Sequence, residues 1–519
     1  VEPAARPLLK GLGMRRLDLR LPLWLSLLAA CGAQGNSSVG PQSGAGADAG
    51  AGTVSFGGQQ DIGEFRGIIE AGGIPGPDTL DANGFFNEHY APPPATGCTN
   101  TLCLTPGLSV GYDWEHEGKQ ATLQISINTN VDPANYPKRP LDLVVVVDHS
   151  GSMAEDGRLE KVKSGLDTLI DNLGDGDRLA IVEFDDQVQV DAPLATLDRA
   201  HLHQIVAGLT PRGATDIYDG LEAGFDLSVG GLDATRESRV IFLSDGLATY
   251  GNTSDPAILT MADGYVERGI GLTTIGVGLD FDVTLMRGLA EHGAGNFYFL
   301  QDASAATEVF QQELEYFASP IALDIQIDAV AGSGFTFGDV VGSTLWSSSA
   351  SSGSMHVPAA FVASRTDANP DPNTGGRRGG GSMLFIAVQP TGNNPDNKIA
   401  DITLDYRVPG SAQVVTQTVT LQYPTSGGET PSIDAPYLSA PEMAKRYAMY
   451  NLFLGLRDAT QQTTYPACAA SVLSAVRTHA ASWNAMREDP DIADDISLVD
   501  HFIANLQAVG GYGQCSNGY

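Results

Sequence analysis

The stretch Leu143-Val-Val-Val-Val-Asp148-His-Ser150-Gly-Ser152 joins five consecutive apolar residues to one carboxylate and two hydroxyls. An apolar run without alternation reads as a strand buried on both faces, the place of an inner strand in a parallel sheet covered by helices. Just past its end, residues 148, 150 and 152 turn alternate side chains toward one point. Outward from this stretch the same rhythm recurs. Strand-like runs at Leu179–Phe184, Val240–Leu243, Leu272–Val277 and Phe297–Leu300 alternate with helical patterns at Leu159–Leu173, Asp216–Leu227, Ile258–Arg268 and Val283–Ala290. The expected fold class over residues 139–319 is therefore α/β, a doubly wound and mostly parallel sheet.

Two further segments bring oxygen donors to the ends of this pattern. Gly213-Ala-Thr215-Asp216 supplies a hydroxyl in a loop that opens a helix, and Val240–Leu243 runs into Ser244-Asp245-Gly246, a second carboxylate at the end of a buried strand. Ligands of open α/β sheets sit beyond the carboxyl ends of the strands, where the strand order reverses. Five oxygen donors, Asp148, Ser150, Ser152, Thr215 and Asp245, with no His or Cys among them, suit a hard divalent cation: Mg²⁺ first, with Mn²⁺ or Ca²⁺ as substitutes. The remaining coordination position favours an anionic oxygen from elsewhere. For any one of these segments a helix N-cap is the simpler reading, but three in order outweigh it.

This set resembles the metal-ion-dependent adhesion site (MIDAS) of von Willebrand factor type A domains, a Rossmann-like fold, over roughly residues 139–319. The resemblance implies that Ser150 and Ser152 bind the metal directly, that Thr215 joins directly or through water, and that Asp148 and Asp245 hold the water shell. Asp216 is then a residue behind the ligands that orients its loop, and the partner is a protein presenting an Asp or Glu carboxylate. His149 occupies a variable position of the motif and receives no role. Phe65-Arg-Gly-Ile-Ile-Glu-Ala-Gly-Gly-Ile-Pro75, followed by Phe85-Phe-Asn-Glu-His-Tyr90, is similar to the segment preceding the A domain in bacterial lipoproteins of the YfbK type.

Composition bounds the remaining possibilities. The chain has 519 residues, more than one hydrophobic core usually organises. With 29 Lys and Arg against 62 Asp and Glu its formal charge is −33, which repels a phosphate backbone and argues against nucleic-acid binding. The absence of a GxxxxGK[ST] loop argues against a nucleotide. Met14, a basic stretch (Arg15, Arg16, Arg20), the apolar run Leu21–Ala30 and then Cys31 form a short secretory address. Leu28-Ala-Ala-Cys31 resembles the lipobox of bacterial lipoproteins, so residues 1–31 are expected to be a signal region ending at a lipidated Cys31. The expected location is the cell envelope, surface or periplasmic, on a lipid anchor, and Gly32 in place of Asp favours the outer over the inner membrane. The other four cysteines suit an oxidising compartment, and Cys98 with Cys103 and Cys468 with Cys515 is the preferred pairing.

The flanks read as a flexible tether over 32–58, an accessory α+β unit over 59–138, a β-sandwich-like domain over 320–430 and a helical unit over 435–519. Strand patterns at Ile321–Ile327, Met383–Val388, Ile402–Tyr406 and Val414–Leu421 support the third, and helical patterns at Pro441–Leu456, Cys468–Met486 and Ile496–Leu506 the fourth. Several motifs are read as decoys. Gly107-Leu-Ser109-Val-Gly111 matches the hydrolase elbow but is followed by a strand pattern, not a helix. His116-Glu lacks the second His of a zinc-protease helix and reads as a hairpin, and His201 and His203 read as surface histidines. Asp367 to Asn373 alternates like a calcium loop with Pro372 where Gly is required. The expectation is a non-enzymatic, metal-dependent adhesion or protein-binding lipoprotein. The alternative is an assembly factor of the envelope whose metal is purely structural.

Overall fold

The computed structural model describes residues 52–510, apart from 93–96, 133–134, 234, 279–281, 301–308, 311–318, 366–376, 393–396 and 425–430. Cys31 and its lipobox, the tether up to residue 51, the loop around Asp367–Asn373 and Cys515 lie outside the described residues. No described helix is long and apolar enough to cross a membrane.

The α/β domain is built, in chain order, from β1 (Gly58–Gln59), β2 (Leu141–Asp148), α1 (Arg158–Asn172), β3 (Arg178–Phe184), β4 (Val188–Thr196), α2 (Arg199–Gly208), α3 (Ile217–Gly231), β5 (Glu237–Ser244), α4 (Asp255–Val266), β6 (Ile270–Val277), α5 (Val283–His292) and β7 (Asn296–Leu300). The strands lie in the order β1-β7-β6-β5-β2-β3-β4. Neighbours are parallel throughout, except for the antiparallel pair β3–β4. Strand order reverses between β2 and β5, which pair in register with Leu243 opposite Val147. Val145 and Val147 pack under α1 and α2, and Val144 and Val146 under α3, α4 and α5. Both faces of β2 are thus covered, which is why its sequence is apolar without alternation.

Two strands of this domain have no counterpart in the sequence reading, and neither has the apolar face of helix α2, which buries only Leu202 and Val206. Strand β4 is an edge strand with most of its side chains exposed, so it carries little apolar signal. Strand β1 lies at the end of the stretch expected to be a tether.

That expectation is corrected over 52–58, because Gly52–Ser55 is also a strand, with Val54 buried. It joins an antiparallel sheet whose order is Val414–Gln422, Lys398–Arg407, Ala322–Ala331, Ser352–Val362, Gly52–Ser55, Ile127–Thr129 and Cys103–Leu104, with Ser347–Ser348 at the side. A second antiparallel sheet runs Phe335–Val341, Leu384–Pro390, Lys119–Ile125, Gly107–Tyr112 and Tyr437–Leu438. One apolar core, including Leu108, Leu123, Ile325, Ile386 and Ile402, lies between them, the arrangement of a β-sandwich.

Residues 59–138 therefore do not form a separate unit. Their strands complete the two sheets. Their helices, Gly63–Glu70 and Ala82–Asn87, pack instead with the C-terminal helices Met443–Gln461, Pro466–Ala485 and Pro490–Val509 in a single core. Phe65 meets Phe502, and Phe86 meets Phe453, with ring centroids 5.9 and 5.6 Å apart. The Cys98–Cys103 disulfide is present. Cys468 is also disulfide-bonded.

Candidate metal centre

Strands β2 and β5 end side by side at the point of strand reversal, and each delivers one carboxylate there. Asp148 and Asp245 are both buried, as are Ser150 and Thr215, while Ser152 is half-buried. The Ser150 and Ser152 hydroxyl oxygens are 3.0 Å apart, and Ser152 Oγ donates to Asp245 Oδ1 at 2.8 Å. A Cβ placed on Gly246 would stand 3.5 Å from Thr215 Oγ1 and 3.8 Å from Ser152 Oγ. Gly246 therefore leaves open the space flanked by the hydroxyls of Ser152 and Thr215. The four residues Ser150, Ser152, Thr215 and Asp245 come together as read from the sequence, with Asp148 directly beneath them.

The three loops are fixed to one another by their backbones. Gly151 N donates to Gly213 O at 3.2 Å and Arg212 N to His149 O at 2.7 Å. Thr249 N and Tyr250 N both donate to Thr215 O, at 2.9 and 3.1 Å, and Thr215 N donates to Thr249 Oγ1 at 3.0 Å. Asp216 caps α3 by accepting from Asp219 N at 3.2 Å, and its own N donates to Asp185 O at 2.8 Å. It acts on loop geometry, and the cap reading weighed against a site role describes its side chain.

Asp148 accepts from Ser150 N at 2.8 Å on one oxygen and from the Ser244 hydroxyl at 2.6 Å on the other. Both partners are neutral. Burial pushes its carboxyl up to about 6, against the lowering effect of these hydrogen bonds. A buried carboxylate served only by neutral donors is costly, and a cation among the neighbouring hydroxyls would offset that cost. The donor set, two carboxylates and three hydroxyls, is oxygen only. The residues thus fit a hard divalent ion.

Three contributors were not assigned a role in the sequence. Arg158 Nη1 donates to Asp245 Oδ2 at 2.9 Å from the first turn of α1, both side chains being buried. Ser244, immediately before Asp245, donates its hydroxyl to Asp148 Oδ2 at 2.6 Å. His149 is buried, with Nδ1 3.0 Å from Thr210 O. Only Ser244 had an available signal, as the hydroxyl that ends the buried apolar run Val240–Leu243. The partners of Arg158 and His149 are 87 and 61 positions away.

Ser109 lies within a strand, paired to Thr122 and Leu438, and not at a strand-to-helix turn. His116 sits in the tight turn closed by Asp113 N to Gly118 O at 2.9 Å. His203 is held between Asp167 and Asp171 at 2.6 and 3.1 Å, which raises its pKa, so it is less free than a solvated surface histidine.

Residues 142–312 match the family model of the von Willebrand factor type A domain, and this part of the chain is such a domain. Over 187 residues the chain is 27% identical to YfbK of Escherichia coli, covering 36% of this chain and 32% of that protein. Over 197 residues it is 30% identical to the protein sll0103 of Synechocystis, covering 37% and 45%. The chain thus spans less than half the length of either curated relative. Among solved structures, the von Willebrand factor type A protein from Catenulispora acidiphila aligns with a TM-score of 0.49 at 15% identity, covering 75% of this chain and 89% of that one.

Proposed function

We propose that the A domain of this chain is a metal-dependent protein-binding module with a complete MIDAS. Ser150, Ser152 and Thr215 hold a divalent cation, Mg²⁺ first, with Asp148 and Asp245 behind them as the acids of its water shell. The ion's open position accepts an Asp or Glu carboxylate from a protein partner. The observation that carries this reading is the buried Asp148 carboxylate with only neutral partners, beneath hydroxyls 3.0 Å apart. The bound ion would supply positive charge and a vacant coordination position. The chain's part is to fix the donors and leave room above Gly246.

A purely structural ion is the weaker alternative. Backbone hydrogen bonds already join the loops carrying Ser150, Thr215 and Asp245, so stiffening does not require a metal. No catalytic role is proposed.

We further propose that Cys31 carries a lipid that anchors the chain in the cell envelope, with the outer membrane favoured. Mass spectrometry of the mature N-terminus tests this, and an unmodified Cys31 in a processed chain would refute it.

The metal reading is tested by titrating Mg²⁺ and Mn²⁺ into the chelator-treated full chain while following its melting temperature. A rise is expected in the wild type and none in Asp148→Ala or Ser150→Ala. A wild type indifferent to both ions refutes the reading. If the ion is structural only, envelope proteins will be retained equally with and without chelator.

A further inference from the structure

Among the described residues few large apolar side chains are strongly exposed, and two of them stand on the loop that leaves the metal site. Leu247 is 54% and Tyr250 52% exposed. Their loop is not loose. Ala248 between them packs against the domain core, and the Thr249 and Tyr250 amides are bonded to the Thr215 carbonyl. Leu247 follows Gly246 directly, whose Cα faces the Thr215 and Ser152 hydroxyls. The backbone therefore presents two apolar side chains beside the proposed ion, at the cost of leaving them in water.

The exposed charges on the other two loops are mainly acidic, and the one exposed cation beside Gly213, Arg212, is already paired with Asp185 at 2.8 Å and Glu183 at 3.1 Å. Glu155 and Asp156 are exposed at the non-helical kink that follows Ser152, with Glu155 3.9 Å from the Arg158 guanidinium. Asp186 is exposed beside Gly213. A partner segment bringing several acids would be repelled here, whereas a single carboxylate is neutralised by the ion.

We propose that the site selects a solitary Asp or Glu flanked by a large apolar side chain, with the carboxylate on the ion and the apolar group covering Leu247 and Tyr250. This rests on the metal-dependent carboxylate recognition proposed above. It adds the class of peptide recognised and the residues that choose it.

The test is an array of twelve-residue peptides on a Gly/Ser background, probed with the full chain in Mg²⁺ and in chelator. One set carries a single Glu with Leu or Phe two positions away, a second has Ser in place of Leu or Phe, and a third carries three consecutive Glu and no apolar residue. Covering one large apolar side chain is worth about tenfold in affinity, so the first set should be captured about tenfold more strongly than the second, with the third weakest. Leu247→Ser combined with Tyr250→Ser should bring the ratio of the first two sets close to one. Leu247→Met with Tyr250→Phe, which keeps the apolar area, should preserve it. Melting in chelator reports whether each variant folds, and the single substitutions Leu247→Ser and Tyr250→Ser serve if the pair does not. Metal-dependent capture with no apolar preference, or a preference unchanged by the Ser variants, overturns this inference alone. Absence of metal-dependent capture of every peptide overturns the carboxylate reading, and the inference falls with it.

Discussion

Asp148 combines deep burial, a negative charge and neutral hydrogen-bond donors, so its substitution separates fold from function. Asp148→Asn keeps the size and polarity of the side chain and removes the buried charge. In chelator its melting temperature is expected not to fall, while the Mg²⁺-induced rise disappears; a retained rise would remove Asp148 from the site. Asp495, on the C-terminal helix, is the opposite case. Although burial pushes its carboxyl up, His89, Arg377 and Arg66 hold it well below the usual carboxylate range. His89 Nε2 is 2.7 Å from Asp495 Oδ2 with both side chains fully buried, and Arg377 reaches Oδ1 at 3.0 Å. Removing one partner of a buried ionic group strands the others, so Asp495→Ala should cost roughly 3–5 kcal/mol in denaturant unfolding. The five oxygen donors were legible because each lies in a short local motif, four at or just past a strand end and Thr215 in the loop that opens a helix. Arg158 was not, since nothing local marks an arginine whose acid is 87 positions downstream.

Helix α3 ties element packing to the site. Its Gly224 faces β2 so closely that a Cβ there would come within 2.3 Å of Val146 Cγ2, which lets the helix lie tight on the sheet and sets the height of Thr215 and Asp216 at its N-terminal end. Gly224→Leu should destabilise the chain by about 1–3 kcal/mol through overpacking. Because α3 must shift, the melting response to Mg²⁺ should also weaken. An unchanged response would show that the loops, not the helix, position Thr215. Helices α1, α3, α4 and α5 and the inner strands of this domain follow from apolar periodicity, since burial on one or both faces dictates the pattern, whereas α2 buries only Leu202 and Val206. Edge strand β4 and the two-residue β1 do not, because exposed or very short strands carry no such pattern. The β-rich region was readable as strands, but not that Gly52–Ser55 and Cys103–Leu104 share a sheet with Lys398–Arg407.

Over the whole molecule the titrating groups divide into two opposing sets. Asp495 and Asp491 lie below their ordinary values in the folded chain, so their stabilisation is complete above the unfolded carboxylate range, near pH 4, and is lost as the pH falls further. Glu64 and Glu291 behave oppositely. Burial, with Asp78 beside the first and Asp81 beside the second, pushes both from 4.5 up to about 7. The folded chain then holds more protons than the unfolded one between those values, so stability declines as the pH rises from about 4.5 to 7. Unfolding in urea across pH 3–8 should show a maximum near pH 5, and Glu64→Gln with Glu291→Gln should make the neutral limb shallower, with Glu115 and Asp148, pushed by burial up to about 8 and about 6, sustaining the rest. A neutral limb unaltered by those substitutions would show that other groups set it.

Legible in the residues alone are the α/β domain, its parallel strands and five oxygen donors, four at or just past strand ends and Thr215 before a helix, because burial on both faces of a strand and polar residues beside it are written locally. The folded chain, in contrast, distributes residues 52–129 among the sandwich, the helical core and, through Gly58–Gln59, the α/β sheet, and brings Arg158 to Asp245 and Ser244 to Asp148. Those outcomes depend on pairing across large sequence separations, where partners are chosen by what remains to be buried or neutralised and not by any adjacent residue.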